Sequence, residues 1–173
     1  MTVKLFAAMA CLAAVSLGAA DRPLMDSSRW RMPKNGGAWV ENEKAIQLTV
    51  PENVEPAKAD IRATLPVKID QYAGKSILLA AEVRGEGIST GGKRWFGGKI
   101  ILSIYNTENG TYENPTLFVP EHGTFGWKRV SQKITLPAAI RSATLKCCLS
   151  GVSGTFLVRN ITITPVPDGV EAK

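Results

Sequence analysis

Histidine and cysteine are almost missing from this chain: its 173 residues include one His, His122, and three Cys. A single imidazole leaves no credible zinc cluster, because such sites draw several ligands from His, Cys and carboxylates. Of the cysteines, Cys11 falls within the first apolar run, and Cys147 and Cys148 are neighbours in sequence. Neighbouring cysteines close only a small strained ring, so no disulfide framework is implied, and the pair is expected not to be bonded to each other. On an extended strand one of the two turns inward as a small hydrophobe and the other outward. Also missing are a Ser nucleophile elbow, a phosphate loop and a carboxylate pair with supporting polar groups. Glu108, Glu113 and Glu121 read as ordinary loop acids, so the chain is not expected to be an enzyme. No stretch holds helical periodicity over three turns; the best, residues 137–143, makes a turn at most. No repeat at a spacing of about 20–50 residues is visible.

What is present is a folded-protein composition, 45% hydrophobic and 21% charged, in a length that suits one domain. Lys and Arg number 21 against 15 Asp and Glu, a formal charge of +6. The cations are spread along the chain without a clustered stripe, so nucleic-acid binding is not expected. The chain opens on Lys4, a nearly unbroken apolar run from Leu5 to Leu17, and the small residues Gly18, Ala19 and Ala20. That is the pattern of a signal peptide cleaved near Ala20, and the run is too short to span a membrane. A secreted or periplasmic protein follows as the expectation, with net charge +5 after Lys4 is removed.

Beyond residue 37 the apolar residues alternate, with Gly, Pro and Asn between the runs, which is how half-buried strands read. Ile46, Leu48 and Val50 alternate with polar residues, as do Ile61, Ala63 and Leu65, and then Ile77, Leu79, Ala81 and Val83. The same phase returns in Ile100, Leu102 and Ile104, in Val130, Ile134 and Leu136, and in Leu145, Cys147 and Leu149. The last run begins Phe156, Val158 and then shifts to Ile161, Ile163, so a β-bulge is predicted near Arg159 and Asn160. Seven or more short strands without helices predict an all-β fold, an antiparallel two-sheet sandwich. The domain plan is a signal peptide over 1–20, a lead-in over 21–37, the sandwich over 38–165 and a polar tail over 166–173.

The segment from Gly91 to Trp127 concentrates aromatic rings among amides and carboxylates. A sugar ring has an apolar C–H face that stacks on aromatics and a rim of hydroxyls that bond to planar polar groups. Candidate ligand contacts are therefore Trp95 and Phe96 in a Gly-flanked loop, Tyr105 facing outward by alternation, and Asn106, Tyr112 and Glu113. Trp39 reads as a platform or an edge plug. Trp127 reads as a packing anchor, and Phe118, Phe125 and Phe156 as core or loop plugs. Asn109-Gly110-Thr111 and Asn160-Ile161-Thr162 fit the short glycosylation pattern.

The segments WFGGK from Trp95 to Lys99, GTFGWKRVSQKITLP from Gly123 to Pro137 and SGTFLVRNITIT from Ser153 to Thr164 resemble one known family. Tyr72 to Gly85, YAGKSILLAAEVRG, looks like that family's middle strand. The family is that of secreted carbohydrate-binding-like modules with a galactose-binding-like jelly-roll sandwich, often placed ahead of bacterial glycoside hydrolase domains. The resemblance implies a non-catalytic domain that binds an oligosaccharide or polysaccharide, and association with a glycoside hydrolase. Such modules often hold a structural calcium near acids of the last strand; Arg159 and Asn160 stand there in this chain, and a cation at Arg159 opposes calcium. No cofactor is expected. The alternative function is a structural or protein-interaction sandwich at the cell surface. The two readings separate on whether Trp95, Tyr105 and Tyr112 reach one exposed surface or point into the core.

Overall fold

A computed structural model describes residues 24–167. The expected signal peptide and residues 21–23 and 168–173 of the two terminal segments lie outside them. The alternating runs form ten strands: β1 (Gly37–Val40), β2 (Ala45–Thr49), β3 (Asp60–Val67), β4 (Ser76–Ile88), β5 (Gly97–Asn106), β6 (Thr111–Glu113), β7 (Thr116–Phe118), β8 (Gly123–Thr135), β9 (Ile140–Ser150) and β10 (Thr155–Pro165). One sheet runs β1-β2-β10-β4-β8, and the other β3-β9-β5-β6 with β7 also paired to β5. All pairings are antiparallel. Two sheets that each carry an apolar face must bury those faces against one another, and the result is the β-sandwich read from the sequence.

Most of the predicted inward residues lie in the core, which Ile69, Tyr72, Ile88, Leu117, Val119 and Val152 complete, with Val130 and Ile163 packed at its edge. Ile46, Leu48, Leu65, Ile77, Leu79, Ile100, Leu102, Ile104, Leu145, Leu149 and Phe156 are fully buried. Phe156 fills the middle because Gly98, facing it from the opposite sheet, carries no side chain; a Cβ there would come within 2.6 Å of the Phe156 ring. The predicted break in phase is present too: the register between β10 and β4 shifts between Arg159 and Thr162, and Asn160 takes a positive φ of 50°. That bulge turns Ile161 back into the core.

The segment before β1 does more than lead in. Trp30 is 5% exposed, its indole Nε1 donates to the Leu24 carbonyl at 2.8 Å, and Arg31 forms a β-bridge with Thr64. Periodicity could not show this, because a lone Trp followed by one bridge residue makes no pattern.

Cys147 faces the core and Cys148 the outer surface of its sheet; both thiols are free and both are buried. Burial holds the Cys147 thiol well above its ordinary pKa. For Cys148 burial wins over the nearby Arg62 and Lys99 cations and pushes the thiol up to about 11. The thiolate is the reactive form, so at pH 8 iodoacetamide is expected to leave both cysteines unmodified in the folded protein and to label both in 8 M urea. Intact-mass measurement of two added groups before denaturant would contradict it.

Candidate functional site

Alternation along β5 sends Ile100, Leu102 and Ile104 inward and Lys99, Ile101, Ser103 and Tyr105 to the outer face of the second sheet. Neighbouring strands extend these positions into rows. Lys99 lies beside Cys148 on one side and Phe118 on the other, with Arg62 beyond Cys148. Ile101 lies between Lys146 and Thr116, and Tyr105 between Ser142 and Tyr112.

The β5–β6 hairpin presents the aromatic end of this face. Asn106 accepts from the Glu108 N–H at 2.9 Å through Oδ1 and donates to Glu113 at 2.7 Å through Nδ2. Asn109 Oδ1 accepts from the Thr111 N–H at 3.0 Å and the Thr111 hydroxyl at 2.8 Å. With the turn fixed by these short-range bonds, Tyr112 stands against Tyr105 edge-on, ring centroids 5.1 Å apart and planes at 65°. Tyr112 is 64% exposed. The register of β5 on β9 slips where Tyr105 faces Ser142 but Asn106 faces Ile140, leaving Arg141 as the extra residue. Its guanidinium lies over the Tyr105 ring, 5.9 Å from the centroid.

At the other end of β5 the loop before Gly97 divides its two aromatics. The Phe96 ring lies against the backbone of Gly91 and Gly151 and packs on the core, while Trp95 is 48% exposed. Lys99 Nζ donates to the Trp95 carbonyl at 2.9 Å and to the Ser150 hydroxyl at 2.7 Å, tying this loop to β5 and β9. Gly91, Gly92, Lys93, Phe96, Phe118 and His122 are among the residues lining a hollow of about 250 Å³. Trp95 and Tyr105 are ten positions apart, on the order of 30 Å of extended chain. The predicted residues thus fall in two groups at opposite ends of one strand. Trp39 belongs to neither: it sits on β1 of the other sheet, half-buried against the core, its Nε1 without a partner.

Asn106 is buried and spends both ends of its amide inside the hairpin, with Glu113 as one partner, so these two position Tyr112. Phe118, expected in the core or as a plug, is 48% exposed on the outer face. It belongs to a three-residue strand, too short for alternation to assign its direction. Phe156 and Phe125 do pack inward, Phe125 over Gly85. Trp127, read as a packing anchor, packs on the outer face of the first sheet. Arg159 covers its ring at 4.1 Å and its Nε1 donates to Glu43 at 3.1 Å. Arg84 bonds that same Glu43 and also Glu86, and Arg159 bonds Glu82, whose carboxyl is held below the ordinary range by Arg159 and then Asn160. Arg84, Arg159 and Trp127 are thus held by ion pairs and hydrogen bonds within this face. Among the described residues no three His, Cys, Asp or Glu side chains gather as metal ligands. No helix of the described residues is long and apolar enough to cross a membrane.

No family model and no curated protein matches the chain. Solved structures do share its fold. The CBM22-1 xylan-binding domain from Paenibacillus barcinonensis Xyn10C superposes with a TM-score of 0.54 at 12% identity, covering 83% of this chain and 89% of that one. A family 16 carbohydrate-binding module gives 0.50 at 16% identity, covering 69% and 75%. The enzymatically active domain of bacteriophage CBA120 tailspike protein 4 gives 0.55 at 14% identity, covering 80% of this chain and 20% of that one. The chain therefore shares its sandwich fold with these carbohydrate-binding modules and with part of a longer chain.

Proposed function

We propose that this chain is a non-catalytic carbohydrate-binding module, exported from the cytoplasm, that holds a polysaccharide across the outer face of the β3-β9-β5-β6 sheet. The observation that carries the reading is the exposed Tyr112 ring, set edge-on against half-buried Tyr105 in the hairpin that the Asn106–Glu113 bond holds. A solvent-facing ring offers a flat apolar surface for the C–H face of a sugar. Beside it Ser142 and, further along β9, Thr144 supply hydroxyls at pleat spacing. Trp95, at the far end, gives a second contact to chains long enough to reach it. Support also comes from the shared fold of the carbohydrate-binding modules. A glycoside hydrolase acting on the same polysaccharide is the partner such a module would serve.

Stacking on an aromatic face adds about 0.5–1.5 kcal/mol beyond the area buried. Tyr112→Ala is therefore expected to weaken polysaccharide binding roughly tenfold, equivalent to about 1.4 kcal/mol. Its urea midpoint should stay near wild type, because the ring packs on little besides Tyr105. Trp95→Ala should weaken long chains and leave short oligosaccharides unaffected. Affinity electrophoresis over a panel of soluble glycans, beside urea melts, reads both. Binding by neither the wild type nor the variants would leave the protein-interaction reading in its place.

A further inference from the structure

The cations of the two sheets are treated differently. On the first sheet Arg84 is paired with Glu43 and Glu86, Arg159 with Glu82, and Lys128 with Glu121. On the outer face of the second sheet, Lys99, Lys146 and Arg141 make no ion pair among the described residues; only Arg62 does, with Asp60. The other acid at this face, Glu113, is already bonded to Asn106. These cations come from three strands far apart in sequence, so no stripe is visible along the chain, yet cross-strand pairing places them together. Arg62, Lys99 and Lys146 all act on the single thiol of Cys148 beneath them. Arg141 lies over Tyr105 further along the same face.

We propose that the ligand of this face is an acidic polysaccharide, a chain of uronic acid residues whose carboxylates meet Lys99, Lys146 and Arg141 while its sugar rings lie on Tyr105 and Tyr112. This rests on the carbohydrate-binding reading above and narrows it to a substrate class. Unpaired like charges on one face repel each other and are relieved by a counter-charge. A uronate chain brings one carboxylate per sugar, spaced by apolar ring faces. On this face Ile101 lies beside Lys146, Phe118 beside Lys99, and Tyr105 under Arg141, so apolar surface adjoins each cation. A nucleic-acid duplex presents about one charge per 1.7 Å and calls for a denser basic stripe.

The test compares the wild-type protein and the double variant Lys146→Gln/Arg141→Gln on polygalacturonate, alginate, highly methyl-esterified polygalacturonate, neutral xylan and glucan, and single-stranded DNA. The proposal expects binding to at least one free-acid polymer, weakened tenfold or more by 0.5 M NaCl. Polygalacturonate, if bound, should lose as much on esterification, and the double variant should lose about tenfold on the acidic polymer at an unchanged urea midpoint. Binding of neutral or esterified chains as tight as the acids, unaffected by salt, would overturn the acidic class and leave the carbohydrate-binding reading standing. Tighter binding to single-stranded DNA than to any polyuronate would overturn it in favour of a nucleic-acid ligand. Binding to no glycan would overturn both.

Discussion

Leu102→Asp is expected to unfold the domain at room temperature, whereas Lys146→Ala, one row away on the neighbouring strand, should leave its stability within about 0.5 kcal/mol of wild type. Leu102 is fully buried on β5, beside Leu145 of β9. Its backbone N–H donates to the Pro115 carbonyl at 3.0 Å, so the chain on both sides of it is held in place. An aspartate there either ionises without a partner or stays protonated with its hydroxyl unbonded, and losing the leucine contacts adds to either cost. The sum is several kcal/mol or more, a large part of the roughly 5–15 kcal/mol by which domains of this size are stable. Lys146 faces outward beside Ile101. Equal urea midpoints for the two variants would mean that the register of β5 on β9 is wrong.

Gly151→Ala should be the second most damaging single change. Gly151 follows β9 with a φ of +70°, and its N–H donates to the Ala59 carbonyl at 2.9 Å. A methyl group at this position would fall inside the Phe96 ring. Left-handed backbone costs an L-residue about 1–2 kcal/mol, and overpacking typically another 1–3, so a loss of roughly 2–5 kcal/mol is expected. Gly92→Ala is the control, because nothing lies within 4 Å of its added Cβ and its φ is ordinary. Urea unfolding of both reads the difference. A Gly151→Ala protein as stable as Gly92→Ala would show that Phe96 does not sit over this turn.

The inward residues were legible because the runs at the centre of each sheet keep period-two alternation, and a one-residue slip would expose the whole apolar set. The bulge at Asn160 was legible for the same reason, as a break in phase from Val158 to Ile161. The site was legible in part. Outward Tyr105 follows from alternation, and Tyr112 from its polar loop. Phe118 was misread because its strand is three residues long, and the face on which Trp127 packs was not legible because an aromatic after a glycine turn packs equally well inward or under an arginine. The gathering of Arg62, Lys99 and Lys146 was not legible at all, since register between strands 37 or more residues apart leaves no mark on the sequence.

The central claim is that the face carrying Tyr105 and Tyr112 is where ligand binds. Titrating isotope-labelled protein with the tightest-binding glycan, and following backbone amide shifts by NMR, tests it most directly. The largest shifts should cluster on β5, β6 and β9, at Tyr105, Tyr112, Ser142 and Lys146, with β4, β8 and β10 unmoved. Shifts gathered instead around Arg84, Trp127 and Arg159 would put the ligand on the opposite sheet and contradict the account.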